Sequence, residues 1–293
     1  MTNFRMTRRN FNGRISGLCT ALAAGAAVSS GCGMPFIGKK RHTPVGLQLY
    51  TLRDLMSKDF AGTVTKVAEI GYDAVEFAGY GGMSSSEVKK LLDDLGIVCA
   101  GTHEGYAGLS GGNLDSTIEF NASIGNGFIV CPSMPGEFRK KGADGFKAFG
   151  EKMNGIGKKV NAAGMRLCYH NHSFEFGEAG DGHLIDYLLE ATDPDLVGLE
   201  VDVYWVKHGG VDPAAFIRSH ADRCDMLHMK DMADDENKSF APVGTGTLDM
   251  TGIIQAGRAV GADWYVVEQD RTKLPPLEAV EISLKNMRSL LDT

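Results

Sequence analysis

Four short segments in the second half of the chain each carry a carboxylate or an imidazole at or near their ends. They are Tyr169-His170-Asn171-His172-Ser173-Phe174-Glu175-Phe176, Leu199-Glu200-Val201-Asp202-Val203-Tyr204-Trp205, Leu227-His228-Met229-Lys230-Asp231 and Val266-Val267-Glu268-Gln269-Asp270. One acid in such a place means little. Four neighbouring ends are less readily accidental, because an unpaired acid taken out of water is costly. A divalent cation is the natural compensation. Carboxylate with imidazole suits Mn²⁺, Co²⁺, Zn²⁺ or Fe²⁺, and suits Mg²⁺ less because of the histidine. The competing expectation is a polar rim satisfied by hydrogen bonds alone, which metal analysis after gentle dialysis distinguishes.

These segments need a scaffold that brings them together. From Val45 onward, short strand-like runs alternate with amphipathic helical stretches. The strand candidates are Val45–Tyr50, Ala74–Phe77, Ile97–Thr102, Gly127–Cys131, Met165–His170, Val197–Val201, Met226–Met229 and Trp264–Val267. Each is bounded by Gly, Pro or polar residues, as buried parallel strands are. Between Ser86 and Leu95, Val88, Leu91, Leu92 and Leu95 form one helical face. A serine at 84–86 caps its start, with Glu87 in the first turn. Asp212-Pro213 opens another helix. Eight such pairs predict an α/β fold, a single (β/α)₈ TIM barrel. An open doubly wound sheet would place a G-x-G-x-x-G turn after its first strand. Here that strand runs into Leu49-Tyr50-Thr51-Leu52-Arg53 instead. In a barrel the loops after the strands build the active site, so the four segments share one rim.

The domain expectation is a barrel over 45–293, a linker over 33–44 and an export signal over 1–32. Thr7-Arg8-Arg9-Asn10-Phe11 is a twin-arginine pattern ahead of an Ala/Gly-rich apolar run from Ile15 to Val28. That run is too short and Gly-interrupted for a permanent span. Ser29-Ser30-Gly31-Cys32 resembles a lipoprotein cleavage box with Ser29 where Leu is usual. Two outcomes stay open: an N-terminal lipid anchor on Cys32, or a plain cleaved signal. Either predicts an exported, periplasmic or membrane-anchored protein. The chain's formal charge is −7, and without Arg5, Arg8, Arg9 and Arg14 the rest stands at −11. So acidic a body argues against a nucleic-acid partner. Cys99, Cys131 and Cys168 fall within apolar runs, and Cys224 just before one. They lack metal-site spacing and read as buried free thiols.

The four strand ends, with Gly244-Thr245-Gly246-Thr247-Leu248-Asp249, resemble the xylose-isomerase-like barrels known as sugar phosphate isomerases/epimerases. The resemblance spans Pro44 to Leu291. Its most specific segments are the His-Asn-His-x-x-Glu-Phe run from His170 and the Asp-x-Tyr-Trp run from Asp202. In that family four side chains bind one metal, which implies Glu175, Asp202, His228 and Glu268 here. Glu175 follows the inosose-dehydratase-like and 3-keto-glycoside-processing branches; His170 or His172 is the alternative on strand five. The implied substrate is a small carbohydrate.

The chemistry expected of such a site is removal of a proton beside a carbonyl, with the metal stabilising the enediolate. Glu175 and Glu268 are the expected acid/base pair. The expected function is an isomerase or epimerase acting on a ketose or keto-sugar, in which the proton returns to another carbon or face. The alternative is a dehydratase or lyase, which expels a β-substituent from an inosose or 3-keto-glycoside. Lys230 is expected to hold a substrate oxygen, or else to pair with Asp231. His172 is an acid/base candidate, and Tyr50, Glu76, His103 and Trp205 are expected to line the substrate pocket. The Gly244/Gly246 loop reads as a turn rather than a phosphate site, since no Arg/Lys cluster accompanies it. His42, His183, His208 and His220 read as surface or structural. Two other functions compete. An endonuclease of the same barrel type is disfavoured by the acidic body and by Trp205, where that branch carries His. A non-catalytic sugar-binding protein is disfavoured by the full ligand set. Oligomeric state is not legible.

Overall fold

The computed structural model describes residues 43–293. The export-signal and lipidation readings, with Cys19, Cys32 and His42, lie outside the described residues. Eight parallel strands close into a barrel: β1 Val45–Gln48, β2 Ala74–Phe77, β3 Val98–His103, β4 Phe128–Cys131, β5 Arg166–His170, β6 Val197–Asp202, β7 Cys224–Met229 and β8 Trp264–Val267. Each strand hydrogen-bonds its sequence neighbours, and β8 pairs with β1 to complete the ring. Eight principal helices follow in alternation: α1 Phe60–Ile70, α2 Ser85–Leu95, α3 Leu114–Ser123, α4 Gly142–Ala162, α5 Leu184–Ala191, α6 Pro213–Ser219, α7 Met250–Val260 and α8 Pro276–Leu291. This is a single (β/α)₈ barrel.

Local sequence accounts for the helix ends. The Ser84 hydroxyl and the Glu87 carboxylate form a reciprocal capping box at the start of α2, which stops at Gly96 in the left-handed region. Asp212 caps α6 ahead of Pro213, and Asp249 caps α7. Along the strands, alternate residues face the barrel interior and the helices. Leu199 and Val201 of β6 belong to the continuous apolar core, whereas Glu200 and Asp202 turn inward. The first strand stops at Gln48 instead of Tyr50 because its side chain accepts from Tyr50 N and starts a 3₁₀ turn over Leu49–Leu52. β7 begins at Cys224, two residues before the expected start.

Strand register sets the site. His170 of β5 lies opposite Glu200 of β6, and Asp202 lies opposite His228 of β7. His228 in turn faces Val266 of β8, so Glu268 emerges two residues further on, along the same face. Gly101 on β3 makes room for Glu76: a β-carbon there would lie 2.7 Å from Glu76 Oε1.

Candidate active site

The inward residues of β2, β3 and β5–β8 meet in one buried cluster. His170 and His228 lie at its centre, each with both ring nitrogens facing carboxylates. His170 Nδ1 is 3.0 Å from Glu200 Oε2, and its Nε2 is 3.7 Å from Asp202 Oδ2. His228 Nδ1 is 2.9 Å from Glu268 Oε2; its Nε2 is 2.6 Å from Glu76 Oε2 and 3.1 Å from Glu200 Oε1. His103 Nε2 lies 2.8 Å from Glu200 Oε2 and 3.5 Å from Glu76 Oε2. Gln48 donates from Nε2 to Glu76 Oε2 at 2.8 Å. Lys230, just past β7, inserts its ammonium between Asp202 Oδ2 (2.9 Å) and Glu268 Oε2 (2.8 Å), with Asp270 at 3.2 Å.

Burial and charge push these groups apart. Burial and the Glu200 carboxylate raise the Glu76 pKa to about 7. Burial also lifts Asp202 to about 6 against the pull of Lys230. For Glu268 burial is overcome by Lys230 and His228, which hold it well below the usual carboxylate range. Burial acts against the charge of Lys230, yet Asp202 and Glu268 lift its pKa, so it is an ammonium at neutral pH. His170 is driven down by burial. His172 falls to about 4 through burial and the nearby Lys230.

Among the described residues, two overlapping groups bring four potential ligand atoms within 4.8 Å of one another: His103, His170, Glu200 and His228, and His170, Asp202, His228 and Glu268. Glu76 Oε1 is buried without a hydrogen-bond partner, while Glu200 Oε1 and Asp202 Oδ2 are buried with only the ionic contacts to His228 and Lys230 given above. Buried acceptors of this kind normally find a donor or a cation. The imidazole–carboxylate donor set therefore fits a divalent ion. The second group contains Asp202, His228 and Glu268, with His170 as its β5 member. In a metal-binding histidine the distal nitrogen is commonly held by a carboxylate. Glu200 stands in that relation to His170, and Glu76 to His228.

Glu175 is not brought to the cluster. It lies on a 3₁₀ turn over Phe174–Phe176, fully buried, accepting from Tyr169 Oη (2.6 Å) and His172 N (2.9 Å). Burial raises its pKa to about 7. Its five-residue offset from the end of β5 removes it from the strand's inward face, so it pins the His172 loop instead of joining the Glu268 side of the site. Lys230 does not pair with Asp231. That carboxylate accepts from Met232 N and Leu248 N through Oδ1, and from Gly244 N and Gly246 N through Oδ2. The Gly244/Gly246 loop thus wraps around a side chain of its own protein.

The remaining expected residues surround the mouth. A cavity of about 800 Å³ is lined by Tyr50, His172, Trp205, Phe240 and Asp270, among others. Tyr50 is 47% exposed at its edge, with the Arg53 guanidinium 4.5 Å above its ring. The Trp205 backbone N–H donates to Asp202 Oδ1, and its ring lies 5.6 Å from Lys230 Nζ. His172 packs near Trp205, and its Nδ1 has no hydrogen-bond partner. Glu76 and His103 join the buried cluster instead of lining this cavity. Glu200, Gln48 and Asp270 were not anticipated. For Glu200 the signal was present: it sits two residues before Asp202, on the same face of the strand.

The fold and the donor set frame the comparison with known proteins. The family described as "Xylose isomerase-like TIM barrel" matches residues 64–290. The chain belongs to this family. An inosose dehydratase from Lacticaseibacillus casei is 32% identical over 146 residues, covering 42% of this chain and 47% of its own length. The chain thus spans about half the length of that curated relative. A sugar phosphate isomerase/epimerase from Parabacteroides distasonis, solved by crystallography, is 27% identical with a TM-score of 0.69, covering 86% of this chain and 96% of its own. The crystal structure of the IolI protein with a bound zinc atom has a TM-score of 0.61 at 13% identity, covering 85% and 98%, a likeness of fold alone. This xylose-isomerase-like barrel thus has enzymes as its relatives, of both lyase and isomerase names.

Proposed function

We infer that the protein is a metal-dependent lyase acting on a keto-sugar or keto-polyol, removing a proton beside the carbonyl and expelling a β-substituent. A divalent ion held by His170, Asp202, His228 and Glu268 would polarise the carbonyl and acidify the adjacent C–H. Glu268 takes that proton. The electron pair left on carbon forms the new double bond as the C–O bond to the substituent breaks. Lys230 donates a hydrogen bond to the oxygen that gains charge and supplies the departing oxygen's proton, which Glu268 then restores to Lys230 through their 2.8 Å contact. Atoms and charge balance with one carboxylate and one ammonium.

The observation that carries elimination over epimerisation is the position of Glu175. Epimerisation needs a second proton donor on the far side of the substrate, and the carboxylate expected there is turned into the Tyr169–His172 turn. The inosose dehydratase relatives support the same reading. Isomerisation or epimerisation is the second reading, supported by the Parabacteroides distasonis relative, with His172 in the place of Glu175. The export expectation for residues 1–32 favours free sugars or glycosides over cytosolic sugar phosphates.

The test is incubation with an inosose or a 3-keto-glycoside in deuterated water with Mn²⁺ or Co²⁺. Elimination product is expected, together with loss of turnover in Glu268→Gln. A deuterated isomer without elimination selects the second reading. Absence of any C–H exchange refutes both.

A further inference from the structure

The cavity above the cluster has a volume in the range that encloses drug-sized ligands, more than a carbonyl and its neighbouring carbons require. Its inner boundary is formed by Asp270, which reaches Lys230, and by His172, whose ring centre lies 5.1 Å from that of His170. Its outer part is different in kind. Arg53, Lys238, Arg271 and Lys273 all line it, and Lys238, Arg271 and Lys273 are exposed. The one acid in the lining is Asp270, which faces Lys230.

That four-to-one excess of cations belongs to a chain with 30 basic and 37 acidic residues. A concave wall of one sign raises the local concentration of oppositely charged ligand. Lys273 Nζ lies 3.9 Å from the Asp235 carboxylate, which also accepts from Ser239 N. Lys238 adds an independent observation. Its φ of +48° makes it the only described non-glycine residue in the left-handed region, a conformation that strains a residue with a β-carbon. The strain is held by Tyr204 Oη, which donates to Lys238 O at 2.5 Å, and by Lys238 N, which donates to Asp235 O at 2.9 Å. Strained backbone is thus maintained where a cation meets the cavity.

We propose that the outer half of this cavity receives a negatively charged substituent, a carboxylate or a phosphate, on the group that the elimination expels, so that the substrate is an acidic glycoside. This rests on the elimination reading. Tyr50 and Trp205 supply apolar ring faces along the cavity, and Arg53, Lys238, Arg271 and Lys273 supply the charge at its open end.

Tryptophan fluorescence provides the readout, because Trp205 lines the cavity. The full chain with Mn²⁺ is titrated with phenyl β-D-glucopyranosides carrying a para carboxylate, phosphate or hydroxymethyl group. The acidic probes are expected to bind about tenfold tighter than the neutral one at low salt, with the advantage shrinking at half-molar salt. In the double variant Lys238→Ala/Arg271→Ala the three probes should bind within about twofold of one another. The stronger of the two acids identifies the anion. Equal affinity in the unaltered protein, a charge preference that survives the double variant, or no binding of any probe at tens of millimolar overturns the proposal. C–H exchange and elimination with neutral 3-keto-glucosides, without charge preference, would retain the lyase and remove the anionic subsite. Charge preference without C–H exchange would do the reverse.

Discussion

Replacing Asp231 by Asn tests how the loop after β7 is held. The Asp231 carboxylate is fully buried and accepts four backbone N–H groups: Met232 at 2.8 Å and Leu248 at 3.2 Å through Oδ1, and Gly244 and Gly246 at 2.9 Å each through Oδ2. An Asn amide in either orientation turns its NH₂ towards two of those donors. Hydrogen bonds to a charged acceptor contribute about 1.5–3 kcal/mol each, so losing two costs roughly 3–6 kcal/mol. Gly244 is exposed and its N–H can turn to water, which places the expectation at about 3 kcal/mol. That is a large share of a total stability of about 5–15 kcal/mol. Urea unfolding should show a lowered midpoint, and hydrogen exchange should show faster exchange at Gly244, Gly246 and Leu248. A midpoint loss below about 0.5 kcal/mol, within the range of an ordinary surface substitution, with unchanged protection, would refute the account.

Three further outcomes follow from the geometry. The Glu175 pKa is raised to about 7, so the folded state binds more protons than the unfolded state between about pH 4.5 and 7, and stability falls as pH rises through that window. Glu175→Gln removes this slope; its stability relative to the unaltered protein should improve by about 3 kcal/mol from pH 4 to pH 8, and parallel curves in urea unfolding would contradict this. Removing metal with a chelator should lower the melting temperature, and restoring Zn²⁺ or Mn²⁺ to about a hundredfold above its Kd should return about 2.7 kcal/mol; a melting curve indifferent to metal would count against the site. Gly101→Ala places a β-carbon against Glu76 Oε1 and 3.1 Å from Met226 Cε. Displacing Glu76 from His228 should weaken metal binding by about tenfold or more, read by competition with a chromogenic chelator, while unchanged affinity would separate Glu76 from the site.

Much of this molecule was legible from residue type and spacing. Ala74–Phe77 and Trp264–Val267 form strands with the bounds their apolar runs predict. Asp202, His228 and Glu268 converge because each lies at or just past the end of a parallel strand whose register the barrel fixes. What escaped reading depends on side-chain direction. Glu200 reads as one more residue of a buried strand until its alternation with Asp202 is used. Glu175 follows a chain reversal after β5, where period-two alternation no longer aims a side chain; its partner Tyr169 becomes apparent only from the packing. Lys230 has acids before and after it in space as well as an acid beside it in sequence, and sequence adjacency favoured Asp231. That carboxylate was already committed to the glycine loop, whose need for an acceptor is a property of backbone conformation rather than composition.

The four cysteines of the barrel have a practical meaning. Cys99, Cys131, Cys168 and Cys224 lie in four different strands, and all are buried. Burial pushes Cys131 up to about 12 and raises Cys99 and Cys168 as well, which suppresses the reactive thiolate. An alkylating reagent can therefore reach them only when a strand leaves the barrel. Pulsed labelling of each thiol becomes a strand-by-strand clock of how the ring opens. It would reveal whether β3, β5 and β7, which carry the site's histidines, separate with the rest of the wall or before it.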